Sequence, residues 1–209
     1  MYKILKLIVG DLQTNCYLLY SDLSKKCVII DPGDNSEYIS SKISDLDLEP
    51  VSIIATHGHF DHILAVNDLK LIYKIPFYCH KDDAFLVNSM VKRAQKWLSR
   101  KIVEQNPKTE FFLGTEYKNS DFIIKVMHTP GHTPGSVCLY LKKENILFSG
   151  DVLFSGGNIG RYDLSYSNRF DLYKSIRLLL KLSNKTVIYS GHGEETNIEK
   201  EKEYFKDKS

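Results

Sequence analysis

Thr56-His57-Gly58-His59-Phe60-Asp61-His62 follows directly on the apolar run Val51-Ser52-Ile53-Ile54-Ala55, and these residues decide how the chain is read. An apolar run of strand length, led in by Pro50, predicts a strand buried on both faces. In an extended segment residues i, i+2 and i+4 share a face, so His57, His59 and Asp61 point together. His62, where the chain turns into the next helical segment, reaches the same region from another angle. Three imidazoles and a carboxylate in so short a span are the ligand types of a transition-metal site.

Working outward, three further contexts repeat the pattern of an apolar strand that delivers a ligand among glycines. Thr129-Pro130-Gly131-His132-Thr133-Pro134-Gly135-Ser136 fixes His132 in a rigid turn. Phe148-Ser149-Gly150-Asp151 places a carboxylate at a strand end, and Ser190-Gly191-His192-Gly193 does the same for an imidazole. Glycine beside a ligand lets the backbone approach a crowded site. Each motif alone occurs in ordinary turns; together with HxHxDH they read as one metal centre.

The remaining pattern supplies a scaffold. Residues 3–9, 15–21 and 26–31 read as short strands separated by turn signals, and Ser36–Leu46 as a helix with Ile39, Ile43 and Leu46 on one side. Residues 63–74 are predicted helical, 75–80 a strand, and Lys81–Val103 one long helical stretch whose apolar residues, Trp97 included, form a packing face. Strands follow at 122–129, 136–143 and 145–151. Residues 169–182 form the clearest amphipathic helix, 186–193 the last strand, and the tail a solvated helix or frayed end. Two strand-rich halves, each with helices, predict an α/β (α+β) sandwich of two mixed sheets with the helices outside, built as a single domain over residues 1–209.

Composition narrows the function classes. Of 209 residues 43% are apolar and 26% charged, and the formal net charge is +2, which lacks the basic bias of a nucleic-acid binder. No apolar run approaches the roughly 18 residues of a membrane span. The start, Met1 to Asp11, lacks a signal peptide's apolar core and cleavage site, so a cytoplasmic protein is expected. Cys16, Cys27, Cys79 and Cys138 form no CxxC pair and sit among apolar residues, which predicts buried, reduced thiols.

With His57, His59, Asp61, His62, His132, Asp151 and His192 in this order, the chain resembles the metallo-β-lactamase superfamily and its four-layer αββα fold. The resemblance implies that His57, His59 and His132 hold one metal, that Asp61, His62 and His192 hold a second, and that Asp151 bridges them. Two divalent ions are expected, zinc first, with iron or manganese as alternatives. Gln13 to Tyr17, Ile30 to Gly33, the 129–136 turn, Gly150 to Phe154 and Gly160 to Asp163 are similar to glyoxalase II, above all its short single-domain relatives. The C-terminal helical domain with which full-length glyoxalase II binds glutathione is expected to be missing.

The implied function is hydrolysis of a small thioester such as S-D-lactoylglutathione. A metal-bridging hydroxide would attack the carbonyl while Asp61 and Asp151, as ligands, orient that nucleophile. Arg161 and Tyr162, in the loop after Asp151, are the candidate substrate contacts: Arg161 for a carboxylate, or else in an ion pair with Asp163. His80 and His128 read as strand-end or supporting residues. The partner expected is a small molecule, with neither nucleic acid nor membrane; the oligomeric state is left open. The rival readings are a mononuclear iron persulfide dioxygenase using His57, His132 and Asp151, and a non-catalytic metal-binding module. A β-lactamase is disfavoured because Asp151 stands where such enzymes commonly carry cysteine.

Overall fold

The computed structural model describes residues 2–99, 101–102, 105–112 and 114–206. They fall into two compact units, residues 1–112 and 113–209.

The first unit is built on a six-stranded sheet, in spatial order β1 (Tyr2–Val9), β2 (Thr14–Ser21), β3 (Lys26–Ile30), β4 (Glu49–Ile54), β5 (Phe77–Cys79) and β6 (Glu110–Phe111). The β1–β2 and β2–β3 pairs are antiparallel, and β3 to β6 pair parallel. β4 is the strand read from Val51 to Ala55. Ile53 and Ile54 are both fully buried, as expected for a strand with neighbours on each side. Because β3 and β4 are parallel and β1 runs with them, Gly10, Asp31 and His57 all emerge at one edge of the sheet.

Helix α1 (Ser36–Asp45) turns Ile39 and Ile43 inward as its spacing requires. The helical segment expected after His62 is two pieces, α2 (Phe60–Ile63) and α3 (Val66–Tyr73). Between them the Ala65 N–H donates to Pro32 O at 3.1 Å, tying the break to the turn after β3. The long stretch from Lys81 is also divided, into a 3₁₀ turn (Lys81–Asp83), α4 (Ala84–Val87) and α5 (Met90–Leu98). Ser89 Oγ donates to Phe85 O at 2.7 Å, a side-chain bond that competes with helical continuation. Its expected end near Val103 lies outside the described residues. Leu86, Val87, Met90 and Ala94 supply the packing face, but Trp97 is 60% exposed and does not join it.

The second unit has its own sheet, in spatial order β12 (Thr196–Asn197), β11 (Val187–Ser190), β10 (Ile146–Gly150), β9 (Val137–Leu141), β8 (Ile123–His128) and β7 (Glu116–Lys118). Only β10 and β11 pair in parallel. β8 is antiparallel to β9 and β9 to β10, so β8, β10 and β11 run the same way and end at one edge. Helix α6 (Arg169–Leu179) buries Leu172, Ile176 and Leu179 against a core that includes Leu147, Leu153 and Ile188.

Helix α7 (Ile198–Tyr204) bears out the helical reading of the tail against the frayed end, with one side turned inward. Asn197 caps it by accepting from Lys200 N at 2.9 Å, Ile198 is buried, and the Glu201 side chain is buried as well. The short strands β6, β7 and β12 have two or three residues each, too few for a period to show in the sequence.

All four cysteines are free and buried, and burial raises every thiol pKa, that of Cys138 to about 12. Among the described residues no helix is long and apolar enough to cross a membrane.

Candidate metal centre

At the edge of the first sheet, one buried carboxylate organises the ligands. Asp31 accepts from Thr56 N–H and from the Thr56 hydroxyl, both at 2.7 Å, and from His62 Nδ1–H at 3.1 Å. With its hydroxyl proton committed to Asp31, Thr56 Oγ1 can only accept from His57 Nδ1, 3.2 Å away. The protons on Nδ1 of His57 and His62 are thereby fixed, and each Nε2 presents a lone pair. Such an outer hydrogen bond is the usual way a metal-binding imidazole is oriented.

These rings converge. His57 Nε2 lies 3.0 Å from His59 Nδ1, the His57 and His62 ring centroids are 4.1 Å apart, and His62 Nε2 is 3.6 Å from Asp61 Oδ2. Thr14 Oγ1 donates to Asp61 Oδ2 at 3.4 Å. The loop carrying the ligands is held from behind by buried Asp83, which accepts from Gly58 N–H at 2.7 Å. An open cleft beside Asp61 is lined by the apolar side chains of Leu12, Phe60, Leu64 and Leu98 together with Asp11 and Asp34.

The second unit presents three ligands at the shared edge of β8, β10 and β11. His132 Nε2 and His192 Nε2 each stand 3.6 Å from Asp151 Oδ2. His132 Nδ1–H donates to the carbonyl of Arg161 at 2.8 Å, which again leaves Nε2 as the lone-pair nitrogen. His128 Nε2 donates to Pro134 O at 2.8 Å, bracing the turn that holds His132. Gly191 N–H donates to Gly150 O at 2.9 Å and so keeps the approaches to His192 and Asp151 in register. A Cβ on Gly160 would lie 1.8 Å from Asp151 O and 3.1 Å from the His132 ring, so only glycine fits between them.

These donor sets fit divalent metal. Ligand atoms around a tetrahedral zinc, each roughly 2.0–2.1 Å from the ion, stand about 3.3 Å from one another. The 3.0 to 3.6 Å separations bracket that spacing. The first unit thus brings together His57, His59, Asp61 and His62, and the second His132, Asp151 and His192.

The rim residues behave differently. The Arg161 guanidinium grips Asp163 through Nε and Nη2 at 2.8 and 2.9 Å, which holds the Asp163 carboxyl below its ordinary pKa and raises that of Arg161. Tyr162 is exposed, with the Arg169 guanidinium 5.6 Å from its ring centroid. His80 accepts from Asp82 N–H at 3.3 Å, capping the 3₁₀ turn. Asp31, Thr56 and Asp83 were missed as supporting residues. Asp31 had a signal, a carboxylate at a strand end before Pro-Gly; Asp83 had none, since nothing in Lys81-Asp82-Asp83 separates the buried acid from its exposed neighbour.

Residues 9–192 match the family model of the metallo-beta-lactamase superfamily. The hydroxyacylglutathione hydrolase GloC of Haemophilus influenzae is 37% identical over 193 residues, covering 91% of this chain and 90% of the relative. The B3 metallo-beta-lactamase BLEG-1 superposes with a TM-score of 0.87 at 35% identity, over 96% of this chain and 97% of the other. TTHA1623, solved in a di-iron-bound form, gives 0.85 at 33% identity, over 95% and 96%. The αββα fold expected from the sequence is thereby shown. Histidines held by outer hydrogen bonds, carboxylates between them and this breadth of likeness lead to one conclusion: the chain belongs to the metallo-β-lactamase superfamily and carries the His and Asp ligand sets of a metal-dependent hydrolase.

Proposed function

We propose that the chain hydrolyses a small thioester at a binuclear metal centre, within a single catalytic domain, as glyoxalase II-type enzymes do. The observation that carries this reading is the oxygen partner at Nδ1 of each of His57, His62 and His132, which leaves Nε2 of each facing its neighbouring ligands. In this reading His57, His59 and His132 would hold one ion and Asp61, His62 and His192 the other, with Asp151 as the ligand common to both. Bound divalent ions supply a water of lowered pKa and a Lewis acid for the carbonyl. The chain's own part is to orient. Asp31 and the Arg161 carbonyl set the imidazoles, while Asp61 and Asp151 direct the nucleophile. Thiolate is a good leaving group, so no dedicated general acid is needed.

The likeness to GloC supports a thioester, and the likeness to TTHA1623 supports two metals, with iron as well as zinc as candidates. The cleft beside Asp61 is walled by apolar side chains, and the Asp11 and Asp34 carboxylates disfavour an anionic group there. Arg161 would meet a substrate carboxylate by exchanging it for Asp163, with Tyr162 beside it. The likeness to BLEG-1 favours β-lactam hydrolysis as the second reading and weakens the argument made from the missing cysteine.

The test is metal content per chain, followed on the same sample by turnover of S-D-lactoylglutathione, a chromogenic cephalosporin and a persulfide. Two metals with thioester turnover support the proposal. Turnover of the cephalosporin alone selects the second reading. One iron with oxygen consumption on the persulfide selects a dioxygenase, and metal without any turnover a binding module.

A further inference from the structure

The loop from Asp151 to Arg161 begins on one metal ligand and ends on the carbonyl that orients another. Its internal bonds include Phe154 N–H to Asn158 O at 2.9 Å, Asn158 Nδ2–H to Ser155 O at 2.8 Å and an isolated bridge between Leu153 and Ile159. Its tip, Gly156-Gly157, takes left-handed φ values of 79° and 72°, and both amides point the same way, at Glu201. Glu201 Oε1 accepts from Gly156 N–H at 3.1 Å and Oε2 from Gly157 N–H at 2.7 Å. Thr196 Oγ1 adds a third bond to Oε1 at 2.7 Å. The residue is fully buried, although it lies in a lysine- and glutamate-rich stretch where Glu199 and Glu203 are exposed.

We propose that Glu201 is a positioning residue of the metal centre, acting through the Gly156-Gly157 amides on the loop that sets Asp151 and His132. A buried carboxylate is costly unless it is hydrogen-bonded throughout, and here all its bonds go to one loop and one strand. Holding the tip fixes where Gly160 packs against Asp151 O and the His132 ring, and where the Arg161 carbonyl meets His132 Nδ1. Tyr204, one helical turn on, closes over Gly157 so tightly that a Cβ there would lie 2.6 Å from its own Cβ. The inference rests on the metal-centre part of the proposed function and is independent of the substrate.

The experiment measures Zn²⁺ affinity of metal-stripped protein by competition with a chromogenic chelator, and the visible spectrum after Co²⁺ loading. Glu201→Gln sets an amide donor against a loop N–H. It is expected to weaken Zn²⁺ binding by about 10- to 100-fold, the usual cost of losing outer support, and to change the Co²⁺ spectrum. Asn197→Ala removes the cap of α7 without touching the Glu201 bonds and is expected to lower stability while leaving both readouts at wild type. A Glu201→Gln protein with wild-type affinity and spectrum overturns the proposal, as does an equal loss in Asn197→Ala. If Glu201→Gln does not fold, Glu201→Asp, too short to span both amides, is read by the same two measurements and the same criteria. Wild-type protein that binds neither ion overturns the metal reading and this proposal together. Wild-type protein that binds both ions but hydrolyses no thioester overturns only the substrate.

Discussion

The carbonyl oxygen of Asp61 occupies the space that a Cβ on Gly33 would need, 1.7 Å from its ideal position. The turn after β3 and the ligand-bearing loop after β4 therefore pass in direct backbone contact, and Thr14 Cβ stands 3.2 Å from the same point. Gly33→Ala must push Asp61 away. Overpacking of this kind costs about 1–3 kcal/mol, occasionally more. The expected result is a lower urea midpoint together with loss of metal at the Asp61 site, measured by metal analysis after dialysis.

Asp151 tests the shared-ligand assignment. Asp151→Ala is expected to lose one of two metals and nearly all turnover. A variant with full activity and two metals per chain would sink the assignment.

Asp31→Asn probes the network behind the ligands. The amide oxygen can still accept on one side, but the amide NH2 meets a donor on the other, so the bonds from Thr56 N, Thr56 Oγ1 and His62 Nδ1 cannot all be kept. Metal affinity should fall about 10- to 100-fold with the ligands themselves intact. Unchanged affinity would mean that Asp31 serves the fold alone.

How much of this was legible beforehand divides along physical lines. The ligands were readable because metal chemistry demands particular side chains, and strand ends flanked by glycine announce themselves locally. The sheets were readable where an apolar run announced a strand, as at β4 and β10 and also at the shorter β5 and β11. What stayed hidden was set by tertiary partners. Asp83 and Glu201 look like surface acids until the amides of Gly58, Gly156 and Gly157 are brought to them. The break between α4 and α5 likewise falls where Ser89 bonds back to Phe85, a choice that periodicity does not encode.

Arg161→Ala separates the side chain from the backbone of one residue. The carbonyl that holds His132 remains, so metal content and stability should stay at wild type, the lost pair with Asp163 being exposed. If the guanidinium meets substrate, KM for a carboxylate-bearing thioester should rise with little change in kcat. An unchanged KM would confine Arg161 to its pair with Asp163.

Alkaline pH should destabilise the fold. The buried thiols stay protonated in the native state well above their ordinary 9.0, Cys138 to about 12, whereas the unfolded chain ionises near 9. Above that pH the unfolded state binds fewer protons than the native one, so unfolding free energy falls as pH rises. The limiting slope is about 1.4 kcal/mol per pH unit for each thiol. Stability contributed by Cys138 is therefore complete below pH 9 and lost between about 9 and 12. Urea midpoints from pH 8 to 10.5 should show the decline, and Cys138→Ala should make it shallower by the share of one thiol, leaving that of Cys16, Cys27 and Cys79.

The same sealed thiols make the molecule a silent background for chemical labelling. Maleimides and spin-label reagents find no native sulfur at the surface, with all four cysteines free and buried. A single cysteine placed at exposed Leu23 or Leu71 would then be the one reactive handle, so a fluorophore or paramagnetic tag could follow metal uptake without first stripping the chain of its own sulfur.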